Sequence, residues 1–199
     1  MNKQYRGLLL VALGLMLILA AVCLHILHER QDILAGQNAG ILLEELANDI
    51  KYHPPVTAAP DPEEENVSED SVPSRTLAGY DLMGIIRVPS VGVELPVLNR
   101  WSYDLLNVAP CRYSGSLETG DLIILGHSYK SHFRPLRQVQ AGDSVEFTDA
   151  NGVTFRYVAA AVDVIPETAC DQLPSEYPLT LFTCTSDSRH RVIVRCEAE

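Results

Sequence analysis

Three side chains in the second half of the chain are of the types that acyl transfer requires: Cys184, His127 and Arg191. Each stands at the end of a short apolar run. His127 follows Leu122-Ile123-Ile124-Leu125-Gly126, Cys184 follows Leu179-Thr180-Leu181-Phe182-Thr183, and Arg191 opens Val192-Ile193-Val194. If those runs are strands, a hairpin between the last two returns Arg191 to the side of Cys184, and the three groups meet at one end of a barrel. The thiolate is the strong nucleophile, and a free thiol titrates near pH ~8.5. A neighbouring imidazole can take that proton and later give one to a leaving amine. A guanidinium keeps its charge and can hold a carbonyl or stabilise the oxyanion that forms from it. The product of such a site would be a thioester on Cys184.

Each of the three has competitors. His25 and His28 lie by a long apolar run and His53 in a polar stretch. His132 lies past an expected turn and reads as a surface residue, and His190 should face away from Arg191 on the same strand. Arg189 is the rival to Arg191 if the last strand starts early; Arg195 lies further on. Cys111, Cys170 and Cys196 read as structural thiols, because five cysteines without a CxxC pair make neither a zinc site nor a disulfide framework. A Cys111–Cys170 disulfide remains open.

The elements that must position these residues lie between Leu77 and Glu199, where short apolar runs alternate with turn residues. Leu82–Val88 is stopped by Pro89, and Val93–Leu98 carries Pro96, which marks an edge or a bulge. Ser144–Thr148 and Val153–Val164 flank Asp149-Ala150-Asn151-Gly152, whose Asn-Gly ending signals a hairpin. Only Trp101–Asn107 and Phe133–Val139 look able to form short helices. Seven or eight short strands predict an all-β domain, an antiparallel barrel or sandwich.

Upstream, residues 7–27 are nearly unbroken apolar sequence, long enough to cross a bilayer as a helix. Lys3 and Arg6 precede the run, which predicts a cytoplasmic tail (1–6), a transmembrane signal anchor (7–27) and an extracellular remainder. Ala20-Ala21-Val22 is a poor cleavage site and Val22 also argues against lipidation of Cys23. Residues 28–51 show near-helical apolar spacing that Gly36 and Gly40 weaken, giving a juxtamembrane helix. Residues 52–76 carry Pro54, Pro55, Pro60 and Pro62 and then an acidic run, which predicts a flexible tether. A net charge of −11 argues against nucleic acid as a partner. No metal-ligand spacing or cofactor motif is visible, so no cofactor and no metal are expected.

Thr180-Leu181-Phe182-Thr183-Cys184 resembles the TLxTC signature of sortases. Gly126-His127-Ser128 resembles their Gly-His element, and His190-Arg191-Val192-Ile193-Val194 is similar to the Arg-bearing last strand. Gly84–Pro89 through Glu94–Val97 is similar to the first barrel strands, and Phe133, Leu136 and Gly142-Asp143 match the segment after the histidine, so the resemblance covers residues 77–199. It implies an eight-stranded sortase-like β-barrel with short helices behind the N-terminal transmembrane helix. It also implies a cysteine transpeptidase with thiol-hydrolase-like chemistry. Such an enzyme cuts an LPXTG-like signal at the C-terminus of secreted proteins and passes the acyl group to an amine of a peptidoglycan precursor or a pilin, on the outer face of a Gram-positive membrane. By position Cys184 would be the nucleophile, His127 the general acid/base and Arg191 the oxyanion and substrate ligand. The backbone near Thr183 would contribute to substrate binding.

Subclass stays open. Asp61-Pro62 is followed by Glu63 instead of an aromatic residue, and no apolar tail closes the sequence, which counts against the lidded pilin-building class. Pro166–Pro178 is too short for the class B insertion. The rivals are another thiol peptidase, which commonly places Cys before His, and a membrane-anchored β-barrel that binds partners or senses without catalysis.

Overall fold

The computed structural model of the protein describes residues 3–53 and 72–199; most of the expected tether, 54–71, lies outside the described residues. The chain forms two compact units, 1–34 and 35–199. A single helix, α1 (Lys3–Tyr52), contributes to both. The helix runs without a break through the expected span (7–27) and juxtamembrane helix (28–51): no helix-breaking proline occurs before Pro54, and Gly36 and Gly40 are tolerated within it. In the first unit Leu10, Met16, Leu17, Leu19 and Leu24 are all exposed. This helix is long and apolar enough to cross a membrane.

The part of α1 beyond Leu34 belongs to the β-domain. Ala35, Ala39, Leu42 and Leu46 recur at helical spacing and are buried, and the last three join the same apolar cluster as the strands. Gly36 has a packing reason. A Cβ there would lie 2.8 Å from the Cβ of Ser131, so only glycine lets the helix approach the loop after His127. At the other end Arg75 makes a clasp. Its Nε donates to the Ala150 carbonyl at 2.6 Å, one Nη donates to the His53 carbonyl at 2.8 Å, and it pairs with the Asp49 carboxylate. Hydrogen bonding from Arg75 holds the Asp49 carboxyl below its ordinary value. The Arg75–Asp49 pair is therefore intact at neutral pH and is lost only as pH falls through that lowered value, while the two bonds to backbone carbonyls do not titrate.

Nine strands follow. They are β1 (Arg75–Leu77), β2 (Tyr80–Val88), β3 (Val93–Leu98), β4 (Cys111–Ser114), β5 (Leu122–Leu125), β6 (Ser144–Asp149), β7 (Thr154–Pro166), β8 (Leu179–Cys184) and β9 (His190–Ala198). The sheet runs β1-β2-β3-β4-β5-β8-β9-β7-β6, and β6 pairs back onto β2. Eight strands thus form the closed barrel, with β1 as a short addition to β2 that starts just before the expected domain boundary. Pro96 faces Ile85 of β2, while on its other side β3 meets β4 only at Leu98↔Cys111. A missing N–H is tolerated at such an edge. The β6–β7 turn closes as its Asn-Gly predicts: Asp149 Oδ1 accepts from the N–H groups of Asn151 and Val153, and Gly152 takes φ 83°.

The expected antiparallel barrel or sandwich is a barrel, but not all of its pairs are antiparallel. β3–β4 and β5–β8 pair in parallel. The short apolar runs of β5 and β8 give no alternation because they are covered on both faces. Leu122, Ile124, Leu179 and Leu181 point into the barrel core, and Ile123 and Phe182 into a second cluster with Ile165, Leu173 and Ile193.

Because Leu46 is fully buried among the barrel side chains while Ile41 of the same helix is 58% exposed, the two substitutions should separate cleanly. Leu46→Ala is expected to cost about 2–5 kcal/mol and Ile41→Ala no more than about 0.5 kcal/mol, measured by unfolding of the full-length chain in detergent.

Candidate active site

Parallel pairing brings the ends of β5 and β8 to one edge. The ladder runs Leu122↔Leu179 to Leu125↔Phe182. The Gly126 N–H adds a last bond to the Phe182 carbonyl at 3.1 Å. The next residue on one strand is His127, and Cys184 closes the other. Antiparallel to β8, β9 places Arg191 as the direct partner of Cys184. All three side chains line one cleft of about 220 Å³.

Cys184 and His127 are both half-buried, reachable from solvent yet partly shielded. The imidazole stacks on the Tyr129 ring, with centroids 4.4 Å apart and planes 21° from parallel. Tyr129 is itself buried, and its hydroxyl donates to Asn107 Oδ1 at 3.1 Å, at the end of a short helix, α2 (Tyr103–Leu106). Gly126 is required behind the histidine, since a Cβ there would sit 2.4 Å from the Phe133 ring. Arg191 is 18% exposed. Its Nη1 donates to the carbonyls of Ser188 (2.9 Å) and His190 (3.1 Å), and Nη2 lies 3.8 Å from the Glu167 carboxylate. The guanidinium is thus held at the cleft by its own turn. Glu167 is solvated, so that ion pair adds little. The β8–β9 turn is closed by Thr185, whose hydroxyl donates to Asp187 and holds that carboxyl below its ordinary value. Ser188 takes a left-handed φ of 59°.

Most of the remaining lining is aromatic and aliphatic. Trp101 stacks on Tyr113 at 5.6 Å, Tyr103 meets Trp101 edge-on at 5.8 Å, and Tyr113 meets Phe182 edge-on at 5.3 Å. Trp101 and Tyr103 remain 40% and 77% exposed. They form an apolar wall that continues outward from the three polar groups.

The fold also places the other candidate residues. Thr183 faces into the barrel with a fully buried side chain whose hydroxyl has no hydrogen-bond partner among the described residues, so only its backbone could meet a substrate. His132 is fully buried and not on the surface, and Arg189 is exposed and outside the cleft. Among the thiols, Cys111 and Cys196 are buried, and burial pushes both up to about 12. Cys170 is not a structural thiol of that kind; it is half-buried and lines the cleft with Cys184. All five cysteines are free. Tyr129 and Cys170 were missed because neither sits at a strand end or in a recognisable pattern. The only cue for Tyr129 was an aromatic residue two places after the histidine. Among the described residues no group of three or more His, Cys, Asp or Glu is placed to hold a metal ion.

A closed eight-stranded barrel with a thiol, an imidazole and a guanidinium on one cleft defines a class, and comparison with known proteins gives it a family. The sortase domain model matches residues 86–199. The chain belongs to the sortase family, a family of transpeptidases. No curated protein matches the sequence. Among solved structures, a sortase D5 transpeptidase of Clostridium perfringens superposes with a TM-score of 0.60 at 20% identity, over 82% of this chain and 99% of that one. Sortase A of Listeria monocytogenes gives 0.54 at 24% identity, over 59% and 87%. Sortase C of C. perfringens with its C-terminal cell wall sorting motif gives 0.53 at 18%, over 82% and 89%. Similarity at these identities speaks for the fold.

The thiols should respond to alkylation according to their burial. In the native full-length chain near pH 8, iodoacetamide should modify Cys184 and Cys170 and leave Cys111 and Cys196 intact until denaturant is added. Peptide mapping by mass spectrometry checks the pattern.

Proposed function

We propose that the protein is a membrane-anchored cysteine transpeptidase that joins secreted proteins to an amine of the cell wall or of a pilin. The observation that carries the reading is the convergence of Cys184, His127 and Arg191 on one cleft through the parallel β5–β8 ladder. Cys184 Sγ, its proton passed to His127, adds to the scissile carbonyl of an LPXTG-like signal. The oxyanion that forms rests against the Arg191 guanidinium and a backbone N–H near Thr183 and Cys184. Collapse breaks the C–N bond. The departing amine takes the proton from His127 and leaves the acyl group as a thioester on Cys184. A second amine then adds to the thioester, gives up a proton and releases the thiolate. The apolar wall of Trp101, Tyr103, Tyr113 and Phe182 suits the leucine and proline of such a signal. The clostridial sortase C solved with its sorting motif supports a peptide of this class as substrate. Lys3 and Arg6 before the apolar run of α1 support a cytoplasmic N-terminus and an extracellular barrel.

The test is mass spectrometry of the purified full-length chain with a small library of sorting-signal peptides. An acyl adduct on Cys184 that hydroxylamine or a glycine peptide releases as the amide supports the proposal. Release only to water indicates a peptidase, and no adduct with a reactive Cys184 rejects the reading. Cys184→Ala should abolish the adduct, His127→Ala should slow it about 10²–10⁴-fold, and Arg191→Ala about 10²–10³-fold.

A further inference from the structure

The β5–β8 ladder stops one rung early. Gly126 N–H bonds the Phe182 carbonyl, and the chain then leaves the sheet at His127. Along a strand, carbonyls two residues apart point to the same side. The Cys184 carbonyl therefore points, like that of Phe182, toward the line of β5, where no backbone donor follows. Arg137 supplies the donor. Its Nη2 bonds the Cys184 carbonyl at 2.9 Å and its Nη1 bonds Ser186 Oγ at 2.7 Å.

Arg137 is placed to do this by the segment that carries the histidine. It lies on a short 3-10 helix, Arg134–Gln138. The Phe133 N–H returns to the His127 carbonyl at 3.0 Å, and the Leu136 N–H to the Phe133 carbonyl at 3.1 Å. Phe133 and Leu136 are both fully buried. Arg137 Nε is buried as well and has no hydrogen-bond partner among the described residues. Its guanidinium is therefore aimed by packing and by two acceptors at the end of β8. The loop bearing His127 is in this way tied to β8 at both ends, to the Phe182 carbonyl through Gly126 and to the Cys184 carbonyl through Arg137.

We infer that Arg137 is a positioning residue that sets the spacing of the Cys184 sulfur and the His127 ring by standing in for the missing rung of the ladder. The inference rests on the reading of Cys184 and His127 as nucleophile and proton carrier. Arg137 touches no reacting atom, and its effect passes through the peptide group of Cys184. Without it the Cys184–Thr185 peptide keeps only the bond from the Thr185 N–H to the His190 carbonyl at 3.0 Å, and the sulfur is held less firmly relative to the ring. A fork donor suits a site with two acceptors, whereas a lysine ammonium in its place serves them less well.

The test is a double-mutant cycle on Cys184 alkylation by iodoacetamide in the full-length chain, which needs no sorting peptide. Arg137→Ala should lower the second-order rate constant about tenfold to a hundredfold, the range for one charge-assisted hydrogen bond. His127→Ala should lower it too, and the combined variant should fall no further than His127→Ala alone, since both act through one pairing. Arg137→Lys, which keeps the charge, should recover part of the loss and carries the test if the alanine variant unfolds. With an accepted peptide, kcat should fall and KM stay within about twofold. Additive losses, an unchanged rate constant in Arg137→Ala or Arg137→Lys, or a KM increase with kcat preserved would each overturn the inference. The His127→Ala arm separates the two levels: if it leaves alkylation unchanged, the underlying pairing is wrong and the inference falls with it. If it slows alkylation while Arg137→Ala does not, only the inference fails.

Discussion

Parallel strands share a direction, so their C-terminal ends share an edge of the sheet. The proposed chemistry depends on that property of β5 and β8. Had the two runs paired antiparallel, His127 and Cys184 would stand at opposite edges, and no side chain could bridge them. The pairing is long-range and is held by side chains instead of by a turn: Leu122, Ile124, Leu179 and Leu181 fill one face and Ile123 and Phe182 the other. Burying both faces of two short strands makes the pair hard to slip, because a shift of one residue would exchange the two apolar faces and move every rung. Arg191 needs only the local hairpin with β8 to arrive beside the sulfur.

The surroundings of the three polar groups divide the work. Strand alternation sends Thr183 into the barrel and Cys184 outward, so a fully buried residue and the residue that faces the cleft are neighbours in sequence. Burial silences Cys111 and Cys196 by raising the cost of their thiolates. Cys184 stands at the end of its strand and lines the cleft, half-buried. On the histidine side, the ring is confined by a stacked Tyr129 whose own hydroxyl is bonded to Asn107. An imidazole free to turn over many orientations would spend little time aligned with the sulfur; one confined between a buried aromatic ring and a packed loop loses that freedom before a substrate arrives.

The sequence made the strand ends legible, and with them Cys184, His127 and Arg191, because apolar runs bounded by Gly, Pro and polar residues are local signals. The order of the strands was not legible. Nothing within Leu122–Leu125 or Leu179–Phe182 tells a parallel from an antiparallel neighbour, and continuous apolar runs hide which face is which. The short strand Cys111–Ser114 also escaped notice, since its alternation is brief and its pairing is mostly with β5. His132 was misread for a related reason: a loop was assumed to be exposed, whereas this one buries His132 together with Tyr129, Phe133 and Leu136. Arg137 has no sequence signal at all, because its role exists only where two distant segments meet.

The helix teaches the same lesson about locality. Gly36 and Gly40 were read alike, as weak points, yet a side chain at Gly40 would meet nothing within 4 Å while one at Gly36 would strike Ser131. One glycine is merely tolerated, and the other is demanded by a close approach to the loop that follows His127. Leu42 and Leu46 enter the same cluster as Leu82, Ile86 and Phe147 of the barrel, so this stretch of α1 is part of the core and not a spacer leading to it. A stalk of any apolar sequence would join a domain to a helix that can cross a membrane. Only a helix with glycine at 36, a stripe through 39, 42 and 46 and an acid at 49 for Arg75 would also brace the loop that holds the imidazole.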